Sequence, residues 1–163
     1  MSESTGIIFN NQMNDFSIPA AASDGLLPAP ANFVVPGKSP MSSMSPIIVL
    51  NKDKEVQVVV GGAGGILIMT SVIQFILYFL FLNKSVDESL AMQRLHHQLQ
   101  PMRILHENQV DNGILEFLRA KGHATVPRNP GVSGFASVIA IGRNNGTIEA
   151  GFDPRRGGNF IIF

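Results

Sequence analysis

Cysteine and tryptophan are both absent from this 163-residue chain. Without a thiol there is no disulfide framework, no thiolate zinc site and no cysteine nucleophile, and the redox compartment is left open. Charge is scarce as well: charged residues make up 15% of the sequence, and the twelve basic and twelve acidic side chains cancel. A nucleic-acid binder shows a basic stripe and a membrane-surface protein a polybasic patch. Neither is present, so nucleic acid is not expected as a partner. Met1 to Asn11 lacks a basic start followed by a long apolar run, so the chain shows no secretory signal peptide. The histidines His96, His97, His106 and His123 follow no metal-ligand spacing such as His-Glu-x-x-His and read as surface or supporting imidazoles. No metal and no cofactor are called for.

What is abundant is apolar surface. Hydrophobic residues make up 45% of a chain that also carries 16 glycines and 10 prolines. This suits a single domain over residues 1–163 with a sizeable core. Residues 17–46 are rich in Ser, Pro, Ala and Gly and read as an irregular, ordered loop. Two short apolar runs follow, Ile47 to Leu50 and Val56 to Val60, with the polar turn Asn51-Lys52-Asp53-Lys54 between them, the pattern of a β-hairpin. Val110, Ile114, Phe117 and Leu118 fall at the spacing of one helical face that stops at Gly122. Ser137 to Ile141 and Thr147 to Phe152 flank Asn144-Asn145-Gly146, a turn suited to positive φ, and form a second hairpin. The order is loop, β, β, α, α, α, β, β, an α+β layered domain.

Val58 to Leu82 contains no charged residue. A membrane span needs about twenty mainly apolar residues. Glycines at 61, 62, 64 and 65 interrupt the first half, leaving Ile66 to Leu82, which includes Thr70, Ser71 and Gln74. Hydropathy alone permits either a buried helix or a single membrane span. The glycine cluster Gly61-Gly62-Ala63-Gly64-Gly65 lacks the Lys-Ser/Thr ending of a phosphate loop and the spacing of a dinucleotide fingerprint. Glycines entering a helix do let backbone N–H groups approach a ligand closely and meet negative charge, which is how main chain forms an oxyanion hole.

Several blocks occur in a telling order: Asn10-Asn11-Gln12-Met13-Asn14-Asp15-Phe16, then Pro36-Gly37-Lys38 and Pro40-Met41-Ser42-Ser43-Met44-Ser45-Pro46, then Gly64-Gly65. Arg94-Leu95-His96-His97-Gln98 and Asp153-Pro154-Arg155-Arg156-Gly157-Gly158 follow. Together, from about Gly6 to Gly158, they resemble the carboxyl-terminal part of the small subunit of γ-glutamyltransferases (glutathione hydrolases). The resemblance implies part of an N-terminal-nucleophile hydrolase fold, a four-layer αββα sandwich completed by a large-subunit chain. It implies a substrate such as glutathione or another γ-glutamyl compound, and an extracellular or plasma-membrane-associated setting. In it Asp15 would pair with the α-ammonium of the γ-glutamyl group, assisted by the Gln12 side-chain carbonyl. Ser42 and Ser43 would donate to the α-carboxylate, and the N–H groups of Gly64 and Gly65 would meet the oxyanion. In an extended segment Asn14 would point away from Asp15. Local turn-forming roles are the alternative for Asp15, Ser42 and Ser43. The resemblance also favours a buried helix over residues 66–82.

The chain departs from the family in its chemistry. The family's nucleophile is a threonine followed closely by Ser/Thr-His, and none of Thr5, Thr70, Thr125 and Thr147 begins such a motif. The chain is therefore expected to act as a fragment, inactive alone, with a non-catalytic binding or interaction module and a small single-span membrane protein as the alternatives. Asn14 stands where an aspartate is common, and Ile66 where a small hydroxyl residue usually follows the glycine pair. The sequons Asn83-Lys84-Ser85 and Asn145-Gly146-Thr147 make Asn83 and Asn145 candidate glycosylation sites.

Overall fold

A computed structural model describes residues 2–19, 27–128, 135–144 and 146–156. The chain divides into two units, Met1–Ser42 and Ser43–Phe163. Unit one is built from turns rather than from long elements. Its two short 3-10 helices, Gln12–Asp15 and Pro30–Asn32, have Pro30 at the first helical position of the second, where a missing N–H costs nothing. Asn32 is buried, and its amide joins the pieces. Asn32 Nδ2 donates to Asp15 O at 2.7 Å, while Asn32 Oδ1 accepts from Met41 N at 2.8 Å.

The second unit carries the strands β1 (Ile47–Leu50), β2 (Val56–Ala63), β3 (Leu95–His96), β4 (Ile104–His106), β5 (Thr125–Pro127), β6 (Ser137–Asn144) and β7 (Thr147–Phe152). Its helices are α1 (Ile68–Ile76), α2 (Val86–Ala91) and α3 (Asn112–Ala120). Both expected hairpins form. In the first, Asn51 builds the turn, its Oδ1 accepting from the N–H groups of Asp53 and Glu55 at 2.9 Å each. The main sheet runs β1-β2-β6-β7, antiparallel throughout. Because side chains alternate faces along a strand, one face collects Val58, Val60, Val138 and Ala140. These pack with Leu67, Ile68, Val72, Phe75, Phe79, Val86 and Leu90 into the core. Phe79 sits over Gly142, where a Cβ would lie 2.5 Å from its ring.

The opposite face is open. Ile48, Val59 and Ile141 stand side by side in register, with Ile139 and Ile148 nearby, and each is 40–63% exposed. A cavity of about 530 Å³ lies along this face, lined by residues that include Val59, Gly61, Ile139, Ile141 and Phe152. An apolar sheet face of this kind is half of a packing interface.

The segment 58–82 does not form one apolar rod. Its first six residues belong to β2, and the rest folds as a 3-10 turn (Gly65–Leu67), α1 and a π-helical turn (Leu77–Phe81). Among the described residues no helix is long and apolar enough to cross a membrane. The polar residues that interrupt the apolar run hold the helix to its neighbour. Gln74 donates to Leu95 O (2.7 Å) and accepts from Leu95 N (2.9 Å), so its amide acts as a short strand partner for β3.

Two further features differ from the sequence expectation. A second sheet, β3-β4-β5, is present, with β4 and β5 parallel and α3 crossing between them. Its strands are two or three residues long, too short to show alternation. The expected stripe of α3 is buried only in part: Val110 is buried and Leu118 half-buried. Asp111 caps the helix by accepting from Ile114 N, and Leu115 is the residue it buries. Ile114 and Phe117 are exposed, with Lys121 Nζ 5.5 Å from the Phe117 ring.

Candidate functional site

In the first unit the Gln12–Asp15 turn presents two side chains to solvent. Residues three apart eclipse one another on a 3-10 helix, and Gln12 Nε2 donates directly to Asp15 Oδ2. The segment is therefore helical rather than extended, and Asn14 projects about a third of a turn away from that shared edge. Gln12 also differs from its expected orientation: its NH₂ group faces the carboxylate and steadies it. Asn32, which the sequence reading did not single out, fixes this turn to Met41, the residue before Ser42. Its isolated asparagine sits among prolines and small residues and has no periodic signal.

In the second unit β2 runs directly into the glycine pair. Gly64 has φ 149° and Gly65 has φ 61°, both in the region that disfavours side chains. A Cβ on Gly64 would lie 2.6 Å from Ala136 Cα, and one on Gly62 would lie 2.8 Å from Ser137 O. The loop thus rests directly on the start of β6. Gly65 opens the 3-10 turn, its O accepting from Ile68 N, so the N–H groups of Gly64 and Gly65 precede the first helical donor and are not consumed by the turn. Ile66 follows half-buried and Leu67 enters the core, so the apolar replacement closes the loop against the sheet. Ser43, half-buried, stands four residues before Ile47 as Gly64 stands four after Val60, and Ile47 pairs with Val60. Both lie at the same end of the β1–β2 ladder.

The helix after the loop is pinned by a buried histidine. Gln98 Nε2 donates to Gln100 O, which turns its Oε1 toward His96 Nε2 at 2.8 Å. His96 is then protonated on Nε2, and Nδ1 accepts from Thr70 Oγ1 at 2.8 Å. Burial pushes the His96 imidazole below its ordinary value of 6.5; the Gln98 bond opposes this, and the charges of Arg128 and His97 add to it. A group with a lowered folded value binds more protons when unfolded, so stability is lost as pH falls below 6.5 toward the folded value. The denaturation midpoint should drop between pH 7.5 and 5.5, and His96→Asn should flatten that slope. An unchanged slope in the variant would remove His96 as its source.

A four-member charge cluster lies beside the loop. Asp153, fully buried, accepts from Arg94 Nη2 at 2.6 Å, from Val138 N at 3.0 Å and from Arg155 N at 2.9 Å. Arg94 Nη1 donates to Ala136 O. Arg155 grips Glu107 with two bonds of 2.6 Å and also donates to Leu90 O and Met92 O. Burial lowers the Arg94 guanidinium, Arg155 adds to that, and Asp153 opposes it. Arg155 loses from burial too, but its bonds and attraction to Glu107, then to Asp153, outweigh the loss and raise it. The blocks Arg94–Gln98 and Asp153–Arg156, far apart in sequence, converge here. Gly157 and Gly158 lie outside the described residues.

The site thus consists of an interior strand that runs into Gly64-Gly65, a buried arginine–aspartate support beside it, and, within the first unit, the eclipsed Gln12–Asp15 turn. The family model described as Gamma-glutamyltranspeptidase covers residues 1–163. The chain belongs to the gamma-glutamyltranspeptidase family. It is 43% identical over 161 residues to scoloptoxin SSD14 of Scolopendra dehaani, covering 97% of this chain and 27% of that protein. To the glutathione hydrolase of Aspergillus flavus it is 39% identical over 157 residues, covering 95% of this chain and 26% of the relative. The gamma-glutamyltranspeptidase of Pseudomonas nitroreducens, solved in complex with L-DON, superposes with TM-score 0.82 at 30% identity, over 99% of this chain and 84% of that one.

These relatives give the α+β fold its class, that of the N-terminal-nucleophile hydrolases, and the chain spans about a quarter of the length of the two curated relatives. In this member of the gamma-glutamyltranspeptidase family Asn83 is exposed, with φ 51°, just before Ser85, which caps α2. Asn145 lies outside the described residues. Among the described residues no group of three His, Cys, Asp or Glu side chains is placed to hold a metal.

Proposed function

We propose that this chain supplies the substrate-binding and oxyanion-stabilising part of a γ-glutamyltransferase that moves the γ-glutamyl group of glutathione to water or an amino acid. The observation that carries the reading is the Gly64–Gly65 turn in a chain of this family, with both residues at positive φ and their N–H groups ahead of the helical ladder. In the proposed reaction a hydroxyl attacks the γ-carbonyl, and the resulting oxyanion accepts from these two N–H groups. Collapse releases the amine of the leaving peptide and leaves an acyl-enzyme, which water or an acceptor amine then cleaves. Asp15 is assigned the substrate ammonium, Gln12 the steadying of Asp15, and Ser42 and Ser43 the α-carboxylate.

The hydroxyl nucleophile is assigned to a threonine outside these 163 residues. Thr70, the threonine nearest the glycine pair in sequence, is committed to His96. We further propose that a second chain segment covers the open face of Ile48, Val59, Ile139 and Ile141, and that the assembled protein works outside the cell or at its surface, with Asn83 as a glycan acceptor.

The polypeptide of 163 residues should not release p-nitroaniline from γ-glutamyl-p-nitroanilide, whereas a longer polypeptide with an upstream Thr-Ser/Thr-His should. Turnover by the short chain that Ser2→Ala abolishes would overturn the assignment of the nucleophile. A longer polypeptide with that threonine but no turnover would sink the enzymatic reading altogether.

A further inference from the structure

The glycine loop has no side chain of its own, so its position is set by what it rests on. That support is two residues at the start of β6: Ala136, just before the strand, lies under Gly64, Ser137 O lies under Gly62, and Ala63 pairs with Ser137. We propose that Asp153 is a positioning residue for the Gly64–Gly65 loop, acting through Arg94 and the backbone of Ala136 and Val138; this rests on the oxyanion reading above.

The carboxylate holds this backbone at two points. Asp153 Oδ2 accepts directly from Val138 N at 3.0 Å, and the same oxygen orients Arg94, whose other nitrogen donates to Ala136 O. Asp153 N closes the connection by donating to Val138 O at 3.1 Å. On the far side Arg155 bonds Asp153 Oδ1 and is itself clamped by Glu107, Leu90 O and Met92 O. The carboxylate is therefore fixed from outside and fixes β6 from beneath. Stability is a poor reason for such a group. A buried ion pair gains little over a well-packed apolar pair, because desolvating both charges offsets their attraction. An apolar pair, however, has no atom that can hold a carbonyl and an N–H two residues apart in set positions. Catalysis by backbone donors demands placement to within about half an ångström, and this cluster is the element that touches both the loop's support and a rigid anchor.

The experiment is amide hydrogen exchange on the 163-residue chain, comparing wild type with Asp153→Asn, Arg94→Lys and Leu115→Ala. Leu115 is buried in α3, and its truncation serves as a destabilised control away from the loop. Asp153→Asn replaces an acceptor oxygen with a donor that opposes Arg94 or Val138 N–H. Arg94→Lys keeps the charge but has one ammonium where two bonds are needed, and it stands in for Asp153→Asn if that variant does not fold. Exchange at the strand-paired residues Gly61, Gly62 and Ala63, which lead into the loop, should rise at least tenfold in both cluster variants and less than twofold in Leu115→Ala. Unchanged exchange there in Arg94→Lys, or an equal rise in the control, overturns the proposal. In the longer, threonine-bearing polypeptide Arg94→Lys should lower kcat on γ-glutamyl-p-nitroanilide at least tenfold with KM within twofold; a raised KM with unchanged kcat overturns the role. Absence of turnover in the wild-type longer polypeptide would defeat the oxyanion reading instead, and the exchange result still decides whether Asp153 positions the loop.

Discussion

Asp153→Ala should cost the folded chain about 3–5 kcal/mol, because it strands the Arg94 guanidinium in the interior without the carboxylate it bonds. Arg94→Met should cost less. Asp153 would keep its contact with Arg155 Nη1 at 3.1 Å and two backbone N–H donors, so its charge stays partly compensated. The ranking follows from which partner retains a counter-charge, and a simple count of lost bonds would not give it. A double variant, Asp153→Leu with Arg94→Met, should recover part of the loss, because no unpaired charge remains and the two changes are coupled. Pulse proteolysis across a urea gradient would read all three midpoints. Single-variant losses under about 1 kcal/mol would show that water reaches the cluster and that its burial does not matter.

In the longer, threonine-bearing polypeptide, Asp15→Asn should lower kcat/KM by about 2–5 kcal/mol, since it removes a charge-assisted bond to the substrate ammonium and leaves that cation unpaired. Ser42→Ala with Ser43→Ala deletes two hydrogen bonds to a carboxylate, about 1.5–3 kcal/mol each if they act independently. Gln12→Ala should be milder, because Gln12 reaches the carboxylate of Asp15 and acts through it. Asn14→Ala should be nearly silent: the 3-10 turn, rather than strand alternation, directs it off the Gln12–Asp15 edge. Steady-state kinetics with glutathione or γ-glutamyl-p-nitroanilide would give the order. Small, equal effects at all of these positions would mean that they cap loops, and the assigned γ-glutamyl contacts would be abandoned.

The elements legible in the amino-acid string were those made by neighbours. Both hairpins of the main sheet followed from apolar runs and from the turn residues between them. The Gly64–Gly65 turn was visible because only glycine takes those φ values, and Gly122 marked the end of α3. Family blocks carried Gln12, Asp15, Ser42 and Ser43 onto the chain. Tertiary structure decided the rest. Arg94 meets Asp153 across 59 residues, Arg155 meets Glu107 across 48, and Asn32 meets Asp15 across 17. No periodicity announces such pairs, because each is stable only once the strands and helices around it exclude water. The same reason governs the apolar positions. Hydropathy marks Ile114, Phe117, Ile139 and Ile141 as apolar as Leu115 or Val138, yet which of them is buried depends on the surface that folds against them, a property of the assembled layers and not of any one segment.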